Sequence, residues 1–363
     1  MQCRWKARTG PLPSLSSLLL LAALCATAAS AGPKIWTCAT CHTRQAATQP
    51  NTSMAHAMQP ASTNPLFKTH PKMTVQKGAF TYTIETRGSE TTYSVTDGLE
   101  TATVPIRWIF GANSQTYVLE RNGQFYESLV SYWKSIDALD TTVGDQAIQP
   151  RNVNEALGRP LASSEITLCF GCHSTGAVTD HHLHLEIITP GVTCFHCHQG
   201  ASNHLEDISH GNAKSTPPKL KQLSPEEISS FCGQCHRTWE TVVRNHWMGP
   251  MNVRFQPYRL EISKCFDGKD ARMSCIACHD PHQEVVREDK NYDSKCLACH
   301  SAGARPSAGM IAAHPNAAAM KTCPVSKTDC VSCHMPKIDL PGGHQVFTDH
   351  DIRIARANEP YPH

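Results

Sequence analysis

Seven times in 363 residues the chain reads Cys-x-x-Cys-His. The triplets are Cys38, Cys41 and His42; Cys169, Cys172 and His173; Cys194, Cys197 and His198; and Cys232, Cys235 and His236. They continue with Cys275, Cys278 and His279; Cys296, Cys299 and His300; and Cys330, Cys333 and His334. Two thiols three residues apart stand on one helical turn, where each can add to a vinyl group of one porphyrin. The next residue then turns its imidazole toward the iron. Zinc knuckles and disulfides also use paired cysteines, but neither requires His at the following position. With 21 His in the chain, seven chance placements have a probability on the order of 10⁻⁹, so the spacing is the haem c attachment signature. The cofactor expected is haem c, seven copies, covalently held, with the fourteen cysteines as attachment points and the seven histidines as proximal iron ligands.

The remaining cysteines follow by subtraction from 18. Cys3 and Cys25 lie in an N-terminal stretch that reads as a secretory signal peptide, residues 1–31. Arg4, Lys6 and Arg8 form its basic start, Leu15 to Ala29 its short apolar run, and Ala29-Ser30-Ala31 its small-residue cleavage site. Leu24 before Cys25 is bulkier than a lipid-anchor signal takes. Cys265 and Cys323 are then the only unassigned pair in an oxidising compartment, and a disulfide between them is expected, against two unpaired buried thiols. Export predicts a periplasmic or extracellular location with no integral membrane span. The formal charge of +2 becomes −1 without the signal, which excludes the basic footprint of a nucleic-acid binder.

Composition shifts along the chain divide it into 32–74, an N-terminal haem segment; 75–160, without cysteine; and 161–363, with six motifs. In 75–160, Phe80, Tyr82 and Ile84 alternate with polar residues, as do Val104, Ile106, Trp108 and Phe110. This is the period of half-buried strands. The run 115–121 meets Asn122-Gly123, which favours a type I′ turn, and returns through 124–126 as a hairpin. The segment reads as a small antiparallel β subdomain. Beyond it, short helices are expected, one of them over 225–239 with Ser224 as N-cap and Pro225 in its first turn. Only 40% of residues are hydrophobic and 7% aromatic, a thin supply for this length. The fold class expected is therefore a mainly α and irregular multihaem cytochrome c with a haem-filled core, plus the small β subdomain.

Seven irons call for distal ligands, and fourteen histidines lie outside the motifs: His56, His70, His181, His182, His184, His196, His204, His210, His246, His282, His314, His344, His350 and His363. Imidazole is an excellent iron ligand, so mostly bis-histidine irons are expected, with Met54 and Met58 as the Met alternatives. His56, His184, His204, His246, His282, His344 and His350 are the distal candidates. His282 is too close to His279 to reach any but a neighbouring haem. Leu183 and Leu185 flank His184 as an apolar wall would require, and His344 or His350 is expected to ligate a C-terminal haem. His196 is constrained inside its motif, and His363 is terminal.

Several phrases resemble multihaem cytochromes related to the tetrahaem electron acceptor of hydroxylamine oxidoreductase. Gly191-Val192-Thr193-Cys194 through His198, then Gln199-Gly200 and His204, is similar to that family's GVTCxxCHGPGxxH phrase, with departures at Phe195-His196 and Gln199. Ser53-Met54-Ala55-His56-Ala57 resembles its distal-His segment. Cys333-His334-Met335-Pro336-Lys337, with His344 and Thr348-Asp349-His350, looks like a tail shared with nitrite-reductase-type proteins. The resemblance covers the haem regions and hardly touches the β segment. It implies closely stacked haem pairs, bis-histidine ligation, His56 and His204 reaching haems other than their sequence neighbours, and an iron without a distal protein ligand at the second motif.

Two functions follow. The first is an electron carrier: six motifs within about 166 residues leave little polypeptide to separate the haems, and closely spaced haems pass electrons stepwise. Its partners would be redox proteins, either other cytochromes or quinol-linked donors. The alternative is a reductase of a small nitrogen or sulfur oxyanion at one five-coordinate haem. The chain has no Cys-x-x-Cys-Lys motif, so it does not match the common catalytic variant of pentahaem nitrite reductases, and no catalytic residue is assigned.

Overall fold

The computed structural model describes residues 36–212, 214–301 and 322–362. The signal-peptide reading, Cys25, His314 and His363 fall outside those residues. The architecture is dominated by one curled antiparallel sheet of ten strands rather than by the haem-filled helical body expected. The strands are β1 (Met58–Pro60), β2 (Lys72–Lys77), β3 (Phe80–Arg87), β4 (Glu90–Thr96), β5 (Thr101–Phe110) and β6 (Ser114–Arg121). They continue with β7 (Gln124–Ser128), β8 (Val130–Trp133), β9 (Ala138–Thr141) and β10 (Gly158–Pro160). The order is β10-β7-β6-β5-β4-β3-β2, with β1 added on β5 and β8 on β6 and β9.

The expected alternation holds on β3 and, on β5, as far as Ile106; beyond a register shift there, Ile109 takes the inward place, while Trp108 is half-buried and Phe110 joins a second cluster. Phe80, Tyr82 and Ile84 are buried on β3, Tyr93 and Val95 on β4, Val104 and Ile106 on β5, and Tyr117 and Leu119 on β6. They form one apolar cluster with Phe67, Leu129, Val130 and Leu157. The Asn122-Gly123 turn has both φ angles positive, 53° and 76°, and pairs Arg121 with Gln124, as its type I′ reading requires. A register shift between Ile106 and Trp108 bends β5, and such bends curl a sheet. The fold expectation fails for a physical reason. Averaging hydrophobic residues over the whole chain hides their concentration in and just before the 75–160 segment, where the strands bury them against one another. The sheet also starts at Met58, outside the 75–160 segment.

Helices are short among the described residues. Pro225–His236 is 12 residues long. It begins at the expected capping box: Glu227 N–H donates to Ser224 Oγ at 3.2 Å and Ser224 N–H to Glu227 Oε2 at 2.7 Å. It ends three residues before the expected 239, because Arg237 takes φ 68°. No described helix is long and apolar enough to cross a membrane.

A buried charge cluster joins the sheet to the Ser163–His173 helix. Arg159 on β10 bonds Glu127 at 2.7 Å and Glu165 at 2.7 Å, and lies 3.7 Å from Asp145. Asp145 is 5% exposed, and one of its oxygens finds no donor. Burial pushes its carboxyl up to about 7, Glu127 adds to the rise, and Arg159 opposes it. The folded state therefore holds this proton more tightly than the unfolded chain. The associated stability is full below about pH 4 and is lost as pH rises through about 7, by at most about 4 kcal/mol. Asp145→Asn should raise the thermal midpoint at pH 8 and leave it nearly unchanged at pH 4.5. Equal shifts at both pH values would show that Asp145 does not titrate in this window.

Candidate haem-binding array

Each Cys-x-x-Cys pair lies on a helical turn, either a turn of its own, as at Cys38–Cys41, Cys194–Cys197 and Cys275–Cys278, or the last turn of a longer helix, as at Ser163–His173 and Pro225–His236. All sixteen described cysteines are free thiols. Cys265 and Cys323 are among them, so the disulfide expected between these two is not formed. Cys323 is exposed, whereas burial raises Cys265, which lies near Cys296 and Cys299.

The fold gathers the motifs into one series. Cys38 of the first motif lies beside Cys194 of the third, and His42 and His282 both lie near His198. Cys172 of the second lies beside Cys235 of the fourth, and Cys232 of the fourth beside Cys275 of the fifth. Cys197 lies within electrostatic reach of Cys232 and Cys235, as Cys278 does of Cys296. Cys296 of the sixth motif lies beside Cys330 of the seventh. All seven motifs are thereby linked.

Local packing explains the first meeting. Gly191, before the third motif, has φ +76°, and a Cβ there would lie 1.9 Å from the Ala55 carbonyl oxygen. Only glycine lets the chain cross residues 54–57 so closely. Val192 N–H then donates to Met54 O at 3.1 Å, and Gln49 Nε2 to Val192 O at 2.6 Å. From the other side Glu284 accepts from Ser53 N–H and Oγ at 2.6 and 2.7 Å. The N-terminal haem segment is thus clamped between the third motif and the stretch carrying His282.

Several imidazoles are oriented through Nδ1. That nitrogen faces a backbone carbonyl in His173 (Ala57 O, 2.8 Å), His334 (Arg353 O, 3.0 Å), His350 (Thr348 O, 3.0 Å) and His204 (Ser215 O). A carbonyl only accepts, so Nδ1 carries the proton and Nε2 keeps its lone pair for a metal. Burial lowers the pKa of His173, His236, His198 and His279, and brings His350 down to about 4. All five are therefore neutral near pH 7, the form that ligates.

Two pairs of imidazoles lie close together. The His198 and His282 centroids are 6.1 Å apart with planes 5° from parallel, and those of His279 and His350 are 6.2 Å apart at 43°. Nitrogen–metal bonds of about 2.0 Å on each side, plus roughly 1.1 Å from nitrogen to ring centre, put two trans imidazoles about 6.2 Å apart. Among the described residues no three His, Cys, Asp or Glu side chains converge as a metal cluster. A haem iron asks for less, because the porphyrin supplies four nitrogens and the protein only the axial pair. The thiol pairs, the free Nε2 atoms and these ring spacings fit haem c.

Other expected ligands are placed differently. His344 is engaged elsewhere: its Nε2 meets Asp140 Oδ2 at 2.7 Å and its ring packs on Trp133. Met58 is 1% exposed in an apolar cluster with Phe110 and Phe170, so it serves packing rather than ligation. Leu183 and Leu185 lean on that same cluster, while His184 Nδ1 meets Glu186 at 3.1 Å. His56, His246, His42 and His300 are exposed, and His173 has Phe110 at 5.3 Å edge-on. The sequence reading missed Arg259. It is fully buried, with Asp349 held at 2.8 and 2.9 Å, Asp351 at 3.4 Å, and Tyr361 4.5 Å from its guanidinium. Asp349 and Asp351 flank His350, so this network sets that ring against His279. No family model, curated protein or solved structure matches the chain.

Arg259→Met should destabilise the protein by about 3–5 kcal/mol, because it removes the two-bond fork from buried Asp349 and leaves that carboxylate and Asp351 to share Arg353 alone. His350→Ala should leave the tail folded but change one iron from low to high spin in the electron paramagnetic resonance spectrum. An unchanged spectrum would remove His350 from the ligand set.

Proposed function

We propose that the chain is an exported heptahaem c-type cytochrome that carries electrons from haem to haem, resembling the multihaem family named above. The observation that carries this reading is the linked series of seven motifs, in which two histidine pairs stand at the spacing of trans axial ligands. Each haem would be held by its Cys pair and proximal His: Cys38, Cys41 and His42 in the first case, and so on to Cys330, Cys333 and His334. His282 would hold the haem of the His198 motif together with His198, and His350 that of the His279 motif together with His279. When bound, the haems supply one-electron redox chemistry. The chain's own part is to hold the imidazoles neutral and oriented, and to keep successive motifs adjacent. Redox proteins outside the cytoplasm are the partners.

One observation favours the reductase alternative at a single site. The ring beside His173 is Phe110 rather than an imidazole, which suits an iron open on one side. Mass spectrometry of the mature protein should show about seven haem masses added. Four or fewer, or bridged cysteines in their place, would sink the heptahaem reading. Carbon monoxide should bind the reduced protein at no more than one iron. Binding abolished by His173→Ala supports the reductase alternative, whereas no binding leaves a pure carrier.

A further inference from the structure

A second site lies away from the motif thiols, where the open side of the sheet meets the C-terminal tail. A cavity of about 170 Å³ is enclosed by β6, β7, β8, the turn after β9, the Pro250–Arg254 turn and the residues around Leu340 and Phe347. Two of its lining residues carry an N–H without an acceptor. Arg254 Nε is buried and has no partner, and the guanidinium rests 5.4 Å over the Phe255 ring. Trp133, 1% exposed, also lines the cavity, and its indole N–H finds no acceptor.

The charges around the cavity do not balance locally. Arg237 faces Arg254 as a second cation, and Glu127 is the acid in reach. Glu127 lines the cavity, but Arg159 already holds it through two nitrogens at 2.7 and 3.2 Å. A largely buried guanidinium without a carboxylate is costly, and a neutral water does not offset its charge. An anion with two or more oxygens would take the Arg254 and indole N–H groups together, the geometry for which a guanidinium fork is suited.

We infer that this cavity binds a carboxylate or small oxyanion on Arg254 and Trp133. Two sources share that chemistry. Arg237 is within electrostatic reach of His173 and His236, so a propionate of a haem on the second or fourth motif could enter. That arm rests on the proposed function. A free anion from solution is the other source, and that arm does not depend on haem.

The test uses the holoprotein as wild type, Arg254→Gln, Arg254→Lys and Trp133→Phe, each with its haem count measured by mass. Nitrite and acetate are titrated by calorimetry, and the haem potentials are measured by redox titration. One-site anion binding to the wild type, weakened at least ten-fold in Arg254→Gln, supports the free-anion source. No added-anion binding, with the potential of one haem lowered in Arg254→Gln but kept in Arg254→Lys, supports the propionate. If Arg254→Gln does not fold, Trp133→Phe decides, because it removes the indole N–H along with part of the ring while leaving Arg254 in place, and should show the same change more weakly. Unchanged binding and unchanged potentials across the folded variants overturn the site. A wild type lacking haem at the second and fourth motifs but still binding nitrite at one site keeps this inference while the proposed function fails.

Discussion

The buried pair of Arg259 and Asp349 holds the C-terminal tail in register on the Gln256–Glu261 helix. Both side chains are shielded from water, and the two guanidinium–carboxylate bonds are bidentate at 2.8 and 2.9 Å. Taking such charges out of water costs several kcal/mol per ion, and a hydrophobic pair of the same volume is often as stable. What an apolar pair would lack is direction. The fork admits one register of the tail, and that register puts His350 between two anchored aspartates and against His279. The same tail forms the strand pair of Lys337–Asp339 with Val346–Thr348 and orients His334 through the Arg353 carbonyl. It also returns to the sheet, where Gln146 bonds Gly342 O and His344 bonds Asp140. One segment therefore positions two of the seven motifs and closes the sheet cavity.

Local chemistry was legible in the sequence. Asn122-Gly123 predicted its hairpin because two positive φ angles admit few residues. Ser224, Pro225 and Glu227 predicted a helix start because each satisfies a terminal backbone group. His282 was restricted to a neighbouring haem by chain length alone, and the structure places it beside His198.

What sequence could not show depends on contacts between distant segments. His344 and His350 look alike in a polar tail. Their roles differ because Asp140, some 200 residues earlier, occupies the Nε2 of one, whereas Arg259 anchors the neighbours of the other. The sheet was underestimated for a related reason. Strand periodicity marks which residues face inward, but not that β1 would add to β5 or that β8 and β9 would extend the sheet from β6. Arg254 and Trp133 gave no signal either. Being unpartnered is a property of the fold and cannot be seen in a residue's identity.

The sheet and the second motif share one carbonyl. Ala57 O accepts from Gly111 N–H at 2.7 Å, at the end of the β1–β5 pairing, and faces His173 Nδ1 at 2.8 Å. The carbonyl cannot turn away from the histidine without releasing the sheet, because both donors share one oxygen. A proximal imidazole held this way keeps one tautomer and one orientation, and the accepting oxygen makes the ring a stronger donor to a metal. For an electron carrier that is an advantage, since a ligand that does not move on oxidation adds nothing to the reorganisation each transfer requires. The large sheet is then more than a neighbour of the motif region. Its rigidity, set by ten paired strands and a packed apolar interior, passes through Ala57 to the site and fixes the second motif's imidazole in place.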